Sequence, residues 1–413
     1  MRQSLRLSIA AFALLALTAA PRAQTIDNKP EVKKEVLDRV TELVTRSAFV
    51  PGIDFNRWPQ FLDDERAKLD AANDDDSFGR AVNEALRKFG ASHIVFGTPK
   101  TAEVRKTGNT VGIGVSTQIV DEGIVIVRLI PGGSAEKAGL MPGDTIVKVD
   151  GKPVNGISGI PGPEGTKVTL TIKRKSGETS DYELIRKKFS TRQPEELTMI
   201  DDKTAKISIH SFDFSYDADR VERLIGKVKD KPYMILDLRD NGGGAVVNLQ
   251  HLLSLFMDSD TPIGTFITKR AAERFEDETK GDATDIFKIA EWYPRKVKPI
   301  SRKEGPLYKG KVAVLINGGT GSASEMCAAA LKDTINAKVI GTKSAGAVLV
   351  SVIAPATNGF TLQYPLSDYV TIKGLRLEGN GVAPDVLAEE PKLRLPDVPD
   401  DAVSKAVLAL KAA

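Results

Sequence analysis

The spacing of apolar residues changes several times along this chain, and each change marks a structural unit. Residues 30–48 carry Val32, Val36, Leu37, Val40, Leu43 and Val44 at intervals of three and four, the spacing of one helix face. Pro30 and Glu31 suit a helix start. Arg57–Ala71 and Ser77–Phe89 read as two more helices around the polar turn at 73–76. Residues 24–96 are therefore expected to form a helical N-terminal region, its last helix ending at Gly90.

From Thr107 to Phe189 the pattern becomes a series of short β-rich runs: Val111–Val115, Ile124–Leu129, Thr145–Val149 and Val168–Lys173, with a small helix at Ala135–Ala138. This sets apart a domain at 97–189. After Ala205 strands and helices alternate. Strand Lys206–His210, helix Ala218–Val228, strand Met234–Leu238 and helix Val246–Phe256 come first. Strand Val312–Ile316, helix Ala323–Lys332 and strand Val339–Gly341 follow. Alternation of this kind predicts an α/β core, here at 190–390. Within it, 270–308 is charged and aromatic with weak periodicity and reads as an insertion or lid. Residues 391–413 form a tail, a Pro-rich stretch leading to a helix near Ala402–Leu410.

The first 23 residues belong to none of these units. Arg2 and Arg6 precede the apolar run Leu7–Ala20, which ends among small residues. The run is short for a membrane span and matches a secretory signal cleaved after Ala20 or Ala23; an uncleaved anchor is the alternative. The expectation is an exported chain, periplasmic or secreted. The segment holds three Arg and no acid, so its loss turns 58 basic and 55 acidic residues into 55 of each. A neutral chain has no footprint for nucleic acid. Cys327 is the single cysteine and has no intramolecular partner, and no Cys/His spacing suggests a metal. Neither GxxxxGK[ST] nor GxGxxG occurs, so no nucleotide or other cofactor is expected.

Two glycine-rich turns carry the candidate chemistry. In Val312–Met326 a buried strand runs through Gly318-Gly319-Thr320-Gly321 into a helix that opens with Ser322. Free N–H groups at a helix start favour a developing oxyanion beside that hydroxyl. Ser322-Ala323-Ser324-Glu325 also fits a capping box without catalysis, and this segment alone leaves both readings open. In Ile235–Gly244, three glycines after a strand either aim an N–H at a carbonyl oxygen or simply make a tight turn.

Residues 131–151, with Pro142-Gly143-Asp144-Thr145-Ile146, resemble a PDZ domain of the kind found in bacterial proteases. PDZ domains add a peptide strand to a sheet edge and hold its terminal carboxylate on backbone N–H groups. Val111, Gly112, Ile113, Gly114 and Val115 lie at the position of that carboxylate loop; a β-rich linker without ligand is the alternative. Together with Leu236–Gly244, Gly321–Glu325 and Gly341–Ala347, this organisation resembles the carboxyl-terminal (tail-specific) processing peptidases over roughly 77–388. The resemblance implies a crotonase-like ββα core with an inserted PDZ domain, and serine peptidase activity on polypeptides; homo-oligomerisation is left open. By position it makes Ser322 the nucleophile and the N–H groups of Ala323 and Gly243 the oxyanion donors.

The chain also departs from that pattern. Familiar members place a Lys base in an FGKG segment, with a supporting Gln four residues on. Here Ala347 and Ser351 hold those places, and Lys343 falls four residues early. Among the histidines, His210 and His251 read as packing or hydrogen-bonded residues. His93 follows Ser92 at the junction before the PDZ domain, a pair that resembles the tricorn core peptidase with its Ser/His/Ser/Glu tetrad. That resemblance makes His93 the base, supported by Ser92 and Glu378. A histidine base implies activity rising through about pH 6–7. The competing expectation is an inactive PDZ scaffold that binds protein C-termini.

Overall fold

The computed structural model describes residue 26 and residues 29–412, except 155, 158, 392, 394, 396 and 397. The expected signal at 1–23 lies outside the described residues.

Helix α1 (Pro30–Glu42) buries Val32, Val36, Leu37 and Val40 and widens into a π turn at Leu43–Ser47. The single helix expected over Arg57–Ala71 is two, α2 (Trp58–Asp64) and α3 (Arg66–Ala71). They break at Glu65, a buried carboxylate ion-paired with Lys68 and Lys88. In α4 (Asp75–Phe89) the Ser77 N–H donates to the Asp74 carboxylate at 2.6 Å, and Gly90 closes the helix at φ +88°. Both ends thus carry standard caps.

Strand β1 (Val95–Gly97) returns the chain to the core by pairing with β17 (Thr361–Thr371). Phe96 stacks on Phe360 at 5.2 Å, with Phe78 edge-on to both. Helix α5 (Pro99–Thr107) then leads to a neck in which β2 (Asn109–Gly112) pairs with β9 (Lys187–Ser190). Between these lies the PDZ-like domain: β3 (Val115–Val120), β4 (Gly123–Leu129), α6 (Ser134–Lys137), β5 (Thr145–Val149), β6 (Lys152–Pro153), β7 (Lys167–Lys173) and β8 (Thr179–Ile185). Its sheet runs β3-β4-β5-β7-β8, leaving β3 as an edge.

Strands β10 (Glu196–Met199), β11 (Thr204–Ser208), β12 (Tyr233–Asp237), β14 (Lys311–Ile316), β15 (Lys338–Gly341) and β18 (Val386–Leu387) form the central sheet in that order, parallel from β11 onward. Side chains alternate between its faces. Leu236, Val312 and Val314 meet α7 (Ala218–Lys227), α8 (Val246–Ser254) and α11 (Ala323–Ile335). Ile235, Ala313 and Leu315 meet α12 (Asp401–Ala412). This is the expected α/β layering, with strand ends and glycine-rich turns at one edge.

A second sheet joins β1, β17 and β13 (Gly264–Thr268), with β16 (Val350–Pro355) on β17 opposite β1. The stretch read as an insertion or lid begins as two packed helices, α9 (Lys269–Thr279) and α10 (Ile286–Trp292). Phe275 and Ile289 are buried against Ile267 and Val370. Short elements and many charges had hidden this periodicity.

In the PDZ-like domain no helix occurs among the described residues between β6 and β7. Arg186 holds that irregular segment, donating from Nε to Ile160 O (2.9 Å), from Nη1 to Thr166 Oγ1 (2.9 Å) and Lys167 O (2.7 Å), and from Nη2 to Gly159 O (2.6 Å). Removing this buried guanidinium leaves several acceptors unsatisfied, at about 1–3 kcal/mol each. Arg186→Leu should therefore lower the melting temperature of the PDZ-like domain by more than about 10 °C. An unchanged calorimetric transition would show that the loop holds itself.

Candidate active site

Both candidate catalytic residues sit on strained backbone. Ser322, immediately before α11, has φ +55° and ψ −122°, and His93 has φ +54°. Neither is glycine, and such conformations cost on the order of 1–3 kcal/mol unless the surroundings impose them.

The surroundings do impose the Ser322 conformation. Its N–H donates to Ala347 O at 2.8 Å and to Glu325 Oε2 at 3.1 Å. The two glycine-rich turns are laced together behind it. Asn241 Nδ2 donates to Ile209 O at 2.8 Å, and the Gly321 N–H donates to Asn241 O at 3.0 Å. Asn317 Oδ1 accepts from the N–H groups of Asp240 and Gly319, and Thr320 Oγ1 donates to Leu238 O at 2.9 Å.

Gly243 lies against Ser322 as expected. A Cβ there would fall 2.6 Å from Ser322 Cβ and 2.9 Å from Ala323 N, on a backbone at φ +97°. The bare glycine thus keeps open the space in front of the Ala323 N–H. The Gly243 N–H, however, donates to Asn241 Oδ1 at 3.0 Å. Gly243 therefore supplies room, while its expected oxyanion donor is engaged by a side chain of its own turn.

On the other side, Ser92 Oγ donates to Glu378 Oε2 at 2.9 Å and lies 3.0 Å from His93 Nδ1. The Val348 N–H donates to the same Glu378 oxygen at 2.7 Å. A hydroxyl has one proton. Once Ser92 gives it to Glu378, the 3.0 Å contact requires that His93 Nδ1–H be the donor, which leaves the lone pair on Nε2. Ser322 and His93 make no hydrogen bond to each other. They are linked through consecutive residues, since Ala347 O holds Ser322 and Val348 N–H holds Glu378.

Residues 203–388 match peptidase family S41, and residues 101–173 match the PDZ domain. Residues 203–388 thus carry a peptidase family S41 domain. A probable CtpA-like serine protease of Staphylococcus haemolyticus is 30% identical over 293 residues, 69% of this chain and 54% of that protein. Its Staphylococcus aureus counterpart is 29% identical over the same lengths. The chain thus spans about half the length of these curated relatives. Among solved structures, the photosystem II D1 C-terminal processing protease aligns over 92% of this chain and 97% of its own, with TM-score 0.51 and 20% identity. Mature CPAF complexed with lactacystin aligns over 92% and 98%, with TM-score 0.55 and 15% identity. At these identities the likeness is one of fold.

Within this S41 domain, Lys343 is exposed and Ala347 offers only its main chain to Ser322. His251 is hydrogen-bonded on both ring nitrogens, to Tyr216 at 2.7 Å and Glu222 at 3.1 Å. His210 has a buried Nε2 without a partner. The Val111–Val115 motif straddles two units. Val111 and Gly112 belong to the neck, Ile113 fills the PDZ core, Gly114 turns at φ +79° against Gly133, and Val115 opens edge strand β3. Sequence reasoning missed Asn241, Asn317 and Thr320. An Asn or Thr beside glycines reads as turn composition, and only the fold reveals which carbonyl each one reaches.

Burial pushes the His93 imidazole down to about 4. Burial also raises the Glu378 carboxyl, against the opposing hydrogen bonds from Val348 and Ser92. With His93 as base, the limb expected at about pH 6–7 would move down accordingly. Neutral imidazole is present above the His93 pKa and is lost as pH falls through it. Protonating Glu378 acts in the same direction, by reversing the Ser92 hydrogen bond and with it the tautomer. The His93 ring resonances should titrate near pH 4 rather than at the ordinary value of about 6.5. A midpoint near the ordinary value in an NMR titration would show that the ring is hydrated.

Proposed function

We propose that this chain is an exported serine endopeptidase that cuts polypeptides through an acyl-enzyme, with Ser322 as nucleophile and His93 as base. The observation that carries this reading is the Glu378–Ser92–His93 chain of hydrogen bonds in a protein with alanine where the resembling family has its lysine. Ser322 Oγ attacks the scissile carbonyl as its proton passes to His93 Nε2. The Ala323 N–H, in the space left by Gly243, receives the developing oxyanion. Imidazolium then gives its proton to the leaving amine, and a water activated by the same nitrogen releases the acid. Ser92 and Glu378 keep the tautomer and stabilise the transient imidazolium. Hydrogen bonds of this type are often long in empty sites and tighten when substrate excludes water, so this reading requires Ser322 and His93 to close on each other when substrate binds. That open pair also favours the second reading, an inactive scaffold that binds protein C-termini through its PDZ domain.

A fluorophosphonate probe separates the two readings, since only an activated serine reacts. Ser322→Ala should abolish labelling and turnover while stability changes by no more than about 1–2 kcal/mol, the size of a lost helix cap. Ser324→Ala should keep most of its activity. His93→Ala should lower kcat by several orders of magnitude, as loss of a triad base does. Exposed Lys343→Ala should stay within about tenfold of wild type. A dead Lys343→Ala beside an active His93→Ala would return the base to lysine.

Substrate capture is assigned to β3, an edge strand free to accept a peptide strand, with the Gly112–Gly114 turn at its start for a terminal carboxylate. Amidating the C-terminus of a tailed substrate should weaken its binding to the full chain, as read by fluorescence anisotropy. Deleting residues 107–188 with a short linker should slow cleavage of tailed proteins more than of small peptides. Equal losses would make the domain a structural part of the site.

A further inference from the structure

Glu325 was readable from sequence only as the far end of a capping box. In the structure it is a fully buried carboxylate with four donors converging on it. Ser322 N–H (3.1 Å) and Ala347 N–H (3.0 Å) donate to Oε2, while Ser344 Oγ (2.6 Å) and Gly346 N–H (2.7 Å) donate to Oε1. Three of these donors lie on one loop, 344–347, and the fourth is the backbone of the nucleophile.

The connection continues beyond the loop. Ser344 Oγ, having given its proton to Glu325, accepts the Val382 N–H at 2.6 Å, and Ser344 N–H donates to Val382 O at 3.2 Å. The Gly379 N–H donates to Gly346 O at 2.8 Å. The turn at 377–382 that carries Glu378 is thereby tied to the same loop whose next residue, Val348, holds the Glu378 carboxylate. One side chain therefore fixes the nucleophile and the support of the base in a common frame.

We infer that Glu325 is a positioning residue for the Ser322–His93 chemistry: it sets the register between the nucleophile backbone and the loop that anchors Glu378, without touching substrate. This rests on the proposed peptidase reading. A helix cap would need only the Ser322 N–H; three further donors from 344–347 have no capping role. The carboxylate also occupies the Ser322 N–H, so the next amide, Ala323, is left facing the open space at Gly243. Charge-assisted hydrogen bonds of this kind are short and directional, and catalysis is sensitive to such placement: a displacement near 1 Å can cost about 10²-fold in rate.

The test uses the full chain, dye-quenched casein as substrate, and fluorophosphonate titration to count competent serines. Glu325→Gln keeps the shape but turns an acceptor oxygen into a donor that faces other donors. Its kcat per titrated serine should fall about 10²-fold, with KM within about threefold of wild type. Ser344→Ala removes one of the four hydrogen bonds and the bridge to Val382, and should lower kcat per serine by about tenfold, again at unchanged KM. A purely structural carboxylate would reduce the number of titratable serines and leave kcat per serine intact; that result in both variants overturns the inference. Should Glu325→Gln not fold, an unchanged kcat per serine in Ser344→Ala overturns it alone. Ser322→Ala and His93→Ala are run alongside. If His93→Ala keeps wild-type kcat, the underlying reading fails and this inference falls with it. If both are inactive while Glu325→Gln and Ser344→Ala match wild type per serine, only the positioning role is lost.

Discussion

The constraint on which the site depends is the backbone of Ser322, held at a positive φ that an unsupported serine would leave. Its N–H is fixed from two directions, by Ala347 O and by the Glu325 carboxylate. Strain of this kind persists only where neighbouring structure over-determines it. Here the over-determination comes from the parallel sheet. β12 and β14 lie side by side in register, Asp237 opposite Leu315. Their following turns therefore emerge next to each other, and Asn241, Asn317 and Thr320 bind them together. The hydroxyl is presented because two loops that are distant in sequence leave the same sheet edge at the same level.

Replacing a lysine by Ala347 changes which parts of the molecule must be correct. A base on the loop after β15 would lie within the same unit as the nucleophile. His93 instead lies at the end of the N-terminal helical region, and its location depends on Gly90 ending α4 and on β1 pairing with β17. The aromatic cluster of Phe78, Phe96 and Phe360 fixes that pairing. The N-terminal helices thus belong to the catalytic apparatus of the proposed reading. The loop at 344–348 has kept a role as main chain, giving a carbonyl to Ser322 and an amide to Glu378.

Much of this was legible from the residues. Alternating strands and helices after Ala205 gave the core with ends shifted by a few residues, because buried parallel strands and the amphipathic α7 have strong periodicity. The turn at 318–321 and Ser322 at the helix start were visible as glycines between a buried strand and a helix, although the capping box offered Ser322 a second use. Ser92, His93 and Glu378 came from a resemblance, and no local pattern could have joined them. What stayed hidden has physical reasons. In α9 charged residues outnumber the three buried positions, and α10 is only seven residues long. The break at Glu65 follows from an ion pair with Lys88, which no local window contains. Engagement of the Gly243 N–H by Asn241 is a matter of one rotamer two residues away. The depressed His93 pKa is set by burial under elements far along the chain.

Those distances bear on when the molecule can act. Ser92 and Glu378 are 286 positions apart, yet they share a hydrogen bond. A contact at such separation carries a chain-closure entropy that the interaction must repay. Ser322 takes its geometry from Ala347 and Glu325, while His93, Ser92 and Glu378 meet only when β1 has docked on β17. The segment matching family S41, 203–388, contains Ser322 and Glu378 but neither Ser92 nor His93. Under the proposed reading the matched domain is therefore not the catalytic unit. On that reading hydrolysis needs the completed fold, because a chain in which β1 has not docked carries Ser322 without His93.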